Sequence, residues 1–130
     1  MEIWKDIKGY EGLYQISNLG NVKALEKTRN WNARGKQLQS LLKEKMLIPV
    51  YNNGYFHVIL WKDSKIKNCR IHRLVAQAFI ENPQCKSEVN HINAIKYDNR
   101  LENLEWVTPK ENTQHAIRLN LRKKKLPIFI

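Results

Sequence analysis

Cysteine is scarce: Cys69 and Cys85 are the whole complement of a 130-residue chain. Two thiols are too few for a disulfide framework, and no C-x-x-C pair is present to hold structural zinc, so neither is expected. Both thiols are expected reduced and buried. Long apolar runs are missing as well; none reaches the ~18–20 residues of a membrane span. The opening M-E-I-W-K-D-I lacks the sections of a secretory signal, which makes the cytoplasm the expected location. There is no internal repeat and no low-complexity tract. Acid is also in deficit, with 12 Asp and Glu against 23 Lys and Arg. The 42% hydrophobic content is nevertheless enough for a folded core, in one compact domain or two small modules sharing it.

The resulting net charge of +11 is unevenly spread. Residues 1–26 carry three Lys against four acids, residues 27–73 eleven cations against two acids, and residues 74–130 nine against six. Four of those last nine form R-K-K-K at 122–125. A cation excess concentrated this way attracts phosphate and makes binding steeply salt-dependent. A polyanion partner is the better reading, with an acidic protein surface as the alternative.

Local patterns divide the chain. Residues 13–16 alternate like a strand, 17–20 (S-N-L-G) are turn chemistry, and 21–25 read as a returning strand. Residues 26–45 are polar and basic, and read as an exposed loop that orders on a partner. Strands are expected at 46–50, 55–61 and 65–71, with turns at Asn52-Asn53-Gly54 and Asp63-Ser64 between them. A short apolar helix over 72–80 should stop before Asn82-Pro83, since the residue ahead of proline leaves the helical region. Strands at 88–91 and 104–107 flank a loop rich in Asn and Asp. Thr108-Pro109-Lys110-Glu111 then offers an N-cap, a proline at the first helical position and a capping glutamate. Asn112, His115, Ala116 and Leu119 fall on one face of that helix. The tail beyond Asn120 is basic, then apolar, and could dock or fray. Trp4, Trp61 and Trp106 are expected in the core. Trp31, flanked by Arg29 and Arg34, is either a base-stacking surface or an ordinary hydrophobe.

The densest information lies in 89–115, where His91, Asn103 and Asn112 fall on a strand, a loop and a helix start. A histidine that takes a proton from water, beside amide oxygens able to hold a hard cation, suits phosphodiester cleavage on a basic chain. Alone, His91 would more readily be a hydrogen-bonded structural histidine, and Asn103 and Asn112 could tie loops or cap. His72 and His57 read as structural.

These residues resemble a known family. H-R-L-V-A-Q-A-F-I, then V-N-H-I-N, then D-N-R-L-E-N-L-E-W-V-T-P-K-E-N, is similar to the phage and intron-encoded branch of the HNH endonucleases. W-K-D-I-K-G-Y-E-G-L-Y-Q-I-S-N-L-G-N-V resembles the β module that precedes the HNH core in that branch. The resemblance implies an α+β fold, with a small N-terminal β module followed by a ββα-metal (His-Me finger, HNH) nuclease core. It places the boundary between 1–50, with its basic loop, and 51–130, with its basic tail.

The function implied is metal-dependent DNA cleavage, by nicking or double-strand hydrolysis. His91 takes the general base position, with Asn103 as the middle asparagine that holds the loop and aligns His91. Asn90 and Asn112 would hold one divalent ion, Mg²⁺ or Mn²⁺, and His115 is a candidate for a further phosphate or metal contact. Arg29, Arg34, Lys36, Lys43 and Lys45 are expected to grip the DNA backbone, with the protein a monomer or weak dimer, in the host cytoplasm if phage-encoded. The chain departs from the pattern in two places. Asn90 stands where aspartate is common, and Asn93-Ala94 where relatives carry Asp-Gly. Those departures keep two alternatives open: an HNH-fold DNA-binding protein that has lost cleavage, and a phage DNA-packaging accessory factor.

Overall fold

The structure, a computed structural model, describes residues 1–119. The tail from Asn120, with its R-K-K-K run, lies outside the described residues. Eleven strands and two helices are formed among those described. The first sheet has the order β1-β2-β3-β6, from Trp4–Asp6, Tyr14–Ser17, Val22–Ala24 and Lys45–Met46, all antiparallel. β7 (Val50–Asn52), β8 (Tyr55–Lys62) and β9 (Lys65–Arg70) form a three-stranded meander, and β10 (Glu88–His91) pairs with β11 (Leu104–Val107). The expected single strand at 46–50 is thus two short ones, broken where Pro49 cannot donate to a ladder.

One apolar core serves all three of these sheets. Ile7, Tyr14, Ile16 and Val22 of the first part pack with Val58, Leu60 and Cys69 of the meander and Val89 and Leu104 of the last pair. Helix α1 (Ile71–Phe79) lies between them with Ile71, Leu74, Val75 and Ala76 buried. It has neither a side-chain N-cap nor acids in its first turn, so burial is what holds it. Ile71, Leu74 and Val75 each contribute about 1.5–3 kcal/mol. The hydroxyl of Tyr14 also accepts a hydrogen bond from the Trp61 amide at 3.1 Å, linking the first sheet to the meander.

The stretch expected as a loop is instead a β-ribbon. β4 (Lys27–Ala33) and β5 (Lys36–Leu42) pair antiparallel over seven residues each, from Lys27 opposite Leu42 to Ala33 opposite Lys36. Arg34 and Gly35 turn the chain with positive φ at both positions, 53° and 78°, the geometry of a two-residue hairpin turn. Nearly all of its residues are exposed. Two further expectations are corrected. Trp61 is 56% exposed, because on β8 it alternates away from buried Val58 and Leu60. Cys85 is an exposed thiol, whereas Cys69 is buried.

Candidate active site

Helix α2 (Pro109–Arg118) begins as its sequence dictates. The Thr108 hydroxyl accepts from the Glu111 amide at 3.1 Å, while the Glu111 carboxylate accepts from the Thr108 amide at 2.9 Å. This capping box fixes the start of the helix against β10 and β11 and sets Asn112 one turn in. A cavity of about 430 Å³ opens between them, lined by Glu88, Asn90, His91, Asn112 and His115 together with Tyr55 and Lys96. The structure therefore brings together four of the expected site residues, Asn90, His91, Asn112 and His115.

His91 ends β10, is only 5% exposed, and makes a 2.8 Å hydrogen bond from Nε2 to the Asn99 side-chain oxygen. With Asn99 accepting, the ring proton sits on Nε2 and Nδ1 keeps its lone pair, so Nδ1 is the basic nitrogen. Burial holds the His91 pKa below its ordinary value, partly opposed by the Asn99 bond and the Asp98 charge. The neutral base form is thus the resting one at neutral pH. His72 lies against its other side, with ring centroids 4.9 Å apart, and Tyr55 stacks on His72 at 4.9 Å. Burial and the neighbouring positive groups push His72 down to about 3. Arg70 and Lys96 both reach over the Tyr55 ring, at 4.9 and 5.1 Å, and put positive charge beside the cavity.

Asn103 is placed elsewhere in the network. Its oxygen accepts from the Asn93 amide, and its Nδ2 donates to the Asn93 side chain and the Asp98 carbonyl, each at 2.9 Å. It ties the ends of the loop after His91 and makes no hydrogen bond to the ring; the group that orients His91 is Asn99. Asp98 is held well below the usual carboxylate range by the Arg100 guanidinium, which bonds it through two nitrogens. Ala94 sits in this loop at φ 65°, a conformation that favours glycine. His115 bonds the Ile92 carbonyl through Nε2 at 3.1 Å and so also braces the loop.

The donor set fits a hard divalent cation. Asn90 donates its Nδ2 to Glu105 at 2.8 Å, and Asn112 donates its Nδ2 to Glu88 at 2.9 Å. Each amide is thereby oriented, and among the described residues neither side-chain oxygen accepts a hydrogen bond. The glutamates supply, one bond behind the amides, the negative charge that Asn90 itself lacks. Among the described residues no three His, Cys, Asp or Glu side chains cluster, so a soft-metal ligand set is not formed there. Glu88, Glu105 and Asn99 carry weight that sequence reasoning missed. The available signals were Glu88 two residues before Asn90 on one strand face, and Glu105 directly opposite Asn90 in the ladder.

Arg29, Arg34, Lys36, Lys43 and Lys45 lie on or beside the ribbon, all exposed, and none lines the His91 cavity. The Arg29 guanidinium sits 5.7 Å from the Trp31 ring.

A β-hairpin and a capped helix around a buried histidine and two amide oxygens define a nuclease-type ββα module, carried behind a small β unit. The sequence matches the family models for the NUMOD4 motif over residues 2–61 and for HNH endonuclease over residues 54–114. It is 45% identical over 125 residues to an uncharacterized HNH endonuclease, L247, of Acanthamoeba polyphaga mimivirus, covering 92% of this chain and 27% of that protein. It is 40% identical over 114 residues to the DNA endonuclease I-HmuI of Bacillus phage SP01, covering 88% and 57%. A solved structure described as DNA binding and cleavage by the HNH homing endonuclease I-HmuI matches with a TM-score of 0.69 and 32% identity, over 97% of this chain and 62% of that one. The chain carries an HNH endonuclease module over residues 54–114, behind a NUMOD4 motif at residues 2–61. It spans between 27% and 57% of the length of the two relatives described.

Proposed function

We propose that this protein is a divalent-cation-dependent DNA endonuclease that hydrolyses phosphodiester bonds in duplex DNA, with His91 as its general base. The observation that carries the reading is the His91–Asn99 hydrogen bond, which reserves Nδ1 for proton abstraction in the cavity that also holds Asn90 and Asn112. In this reading His91 Nδ1 takes a proton from the attacking water, while Asn99 keeps the far nitrogen protonated and the ring in place. Asn90 and Asn112 would hold the cation through their side-chain oxygens, and Glu105 and Glu88 keep those oxygens presented. Mg²⁺ or Mn²⁺ bound there supplies charge compensation for the phosphoryl and departing 3′ oxygens. Lys96 and Arg70 attract the scissile phosphate toward Tyr55. Asn103 acts by holding the loop that carries Asn99, and His115 by holding the Ile92 carbonyl. Arg29, Arg34, Lys36, Lys43 and Lys45 grip flanking phosphates. Residues 1–50 serve as the DNA-holding part and 51–130 as the cutting part.

The test is cleavage of supercoiled plasmid with Mg²⁺, Mn²⁺ or chelator, by the native chain and His91→Ala, alongside calorimetric titration of Mn²⁺. Nicked or linear product that needs both the cation and His91 is expected, with cation binding retained in His91→Ala and lost in Asn90→Ala/Asn112→Ala. Salt-sensitive DNA binding with no product under any cation would instead favour the form that has lost cleavage.

A further inference from the structure

The turn that follows β2 belongs to the NUMOD4 stretch, yet it seats on the loop of the HNH stretch that carries Asn99. It is built to keep its shape. The Gly20 amide donates to the Ser17 carbonyl at 3.0 Å, and the hydroxyl of fully buried Ser17 accepts from the Leu19 and Asn21 amides at 3.2 and 3.1 Å. The Asn18 side chain ties the turn to the chain start, accepting from the Ile3 amide at 2.7 Å and donating to the Met1 carbonyl at 3.2 Å. From this frame the Asn18 carbonyl accepts from the Leu101 amide at 2.8 Å, giving a partner to the first N–H of the short 3₁₀ helix Leu101–Asn103. Two residues on, Gly20 lies against Asn99 itself. A Cβ on Gly20 would fall 3.0 Å from the Asn99 Cβ and 3.2 Å from its carbonyl oxygen. Neither atom can rotate out of the contact, because both are fixed to the backbone. Relief has to move residue 99, and with it the side-chain oxygen that accepts from His91 Nε2 at 2.8 Å.

We infer that the 17–20 turn is a positioning element for His91, in which Gly20 lets the first sheet close on Asn99 and Asn18 anchors the loop just beyond it. The inference rests on the reading of His91 as general base given above. Carbon atoms in contact settle at about 3.5–4.0 Å, so an added Cβ would drive Asn99 back by about 0.5–1 Å. A catalytic constellation tolerates about 0.5 Å of error, and about 1 Å can cost on the order of 100-fold in rate. Asn93, Asp98 and Asn103 bond one another and hold the shape of the loop. The Asn18–Leu101 bond and the Gly20–Asn99 contact set where its far end sits. Residues 1–50 therefore contribute to cleavage itself as well as to holding DNA.

The molecule supplies its own control. Gly12 has φ 80°, close to the 88° of Gly20, but a Cβ there meets nothing within 4 Å. Gly20→Ala and Gly12→Ala thus impose similar backbone strain, and only Gly20→Ala pushes on Asn99. The full native chain, these two variants, Asn99→Ala and the double variant Gly20→Ala/Asn99→Ala are compared at neutral pH. The readouts are the single-turnover plasmid cleavage rate with Mg²⁺, the Kd for DNA, Mn²⁺ affinity by calorimetry, and the ¹⁵N signals of the His91 ring, assigned against His91→Ala. Those signals distinguish the two neutral tautomers, and the native ring is expected to hold its proton on Nε2. Gly20→Ala should lose about 10- to 100-fold in cleavage rate, with DNA and Mn²⁺ affinities within about twofold of native. Its His91 signals should move toward a mixture of tautomers, while Gly12→Ala matches the native chain throughout. The double variant should be no slower than Asn99→Ala, because the effect of Gly20 runs through Asn99. Where Gly20→Ala fails to fold by circular dichroism, Asn18→Ala frees the turn from the chain start without adding an atom. It should give the same pattern with a several-fold loss of rate. Equal rates and equal His91 signals in Gly20→Ala and Gly12→Ala overturn the inference, as does a further loss in the double variant. A native chain that cuts nothing under any cation overturns the base reading instead, and the His91 signals of the two glycine variants still decide whether the turn fixes the ring.

Discussion

A histidine base works through whichever ring nitrogen is left without a proton, and at His91, the proposed base, that choice is made by Asn99. Asn99→Ala releases the ring to exchange tautomers and turn. For metal-bound histidines, losing the partner on the far nitrogen typically costs 10- to 100-fold; a loss on that order is expected here, in kcat with KM little changed. Asn99→Asp keeps the acceptor and adds a charge that stabilises the imidazolium, so the acid limb of the pH–rate profile should move to higher pH. Steady-state profiles of the two variants decide the matter; a limb that stays put under Asn99→Asp would mean that His91 is not the titrating group. At this scale the sequence pattern was a good guide to residues whose chemistry and spacing are set by the motif. Asn90, His91 and Asn112 line one cavity. It was silent on Asn99, Glu88 and Glu105, because their importance comes from a loop path and a strand register that local composition does not encode. Ala94, held at φ 65°, shows the reverse case, a departure visible in sequence whose cost is backbone strain of about 1–2 kcal/mol.

Elements were legible in proportion to how local their causes are. The start of α2 was readable because a capping box is four residues of self-contained chemistry, and Thr108 and Glu111 form it as expected. In sequence the β4–β5 ribbon reads as a loop because its polarity hides a strand pattern in which neither face is buried. Its turn, Arg34-Gly35 between two seven-residue runs, was the signal that could have revealed it. The capped helix start also carries a prediction. Asn112 lies in the first turns of α2, so fraying there loosens one of the two amides proposed to hold the cation. Thr108→Ala should cost about 1 kcal/mol of stability and weaken Mn²⁺ binding several-fold, whereas Thr108→Ser should retain both. Urea unfolding with parallel calorimetric titration checks this, and stability lost without any change in Mn²⁺ affinity would uncouple the cap from the site.

Across the whole molecule, the first sheet and the site share structure. The turn after β2 leaves Gly20 at φ 88°, where an added Cβ would lie 3.0 Å from the Cβ of Asn99, and the Asn18 carbonyl accepts from the Leu101 amide at 2.8 Å. The residue that orients His91 is thus buttressed by the N-terminal part. The same shared interior buries His72 between Tyr55 and His91, and this makes stability depend on pH. In the folded chain His72 titrates at about 3, against an ordinary value of 6.5. Below pH 6.5 the unfolded chain therefore takes up a proton that the folded one refuses. Its contribution is complete above that pH and drains away as the pH falls toward 3, by up to about 1.4 kcal/mol per pH unit. His91, also held below its ordinary value by burial, adds a slope of the same sign. His72→Phe keeps a flat ring in the stack and removes one of the two titrations. Urea midpoints measured from pH 7.5 down to 4.5 should fall less steeply in His72→Phe than in the native chain, the two curves diverging only below about pH 6.5. Parallel curves would mean that His72 is protonated in the folded chain, and that the stack against His91 carries a positive charge the base would have to work beside.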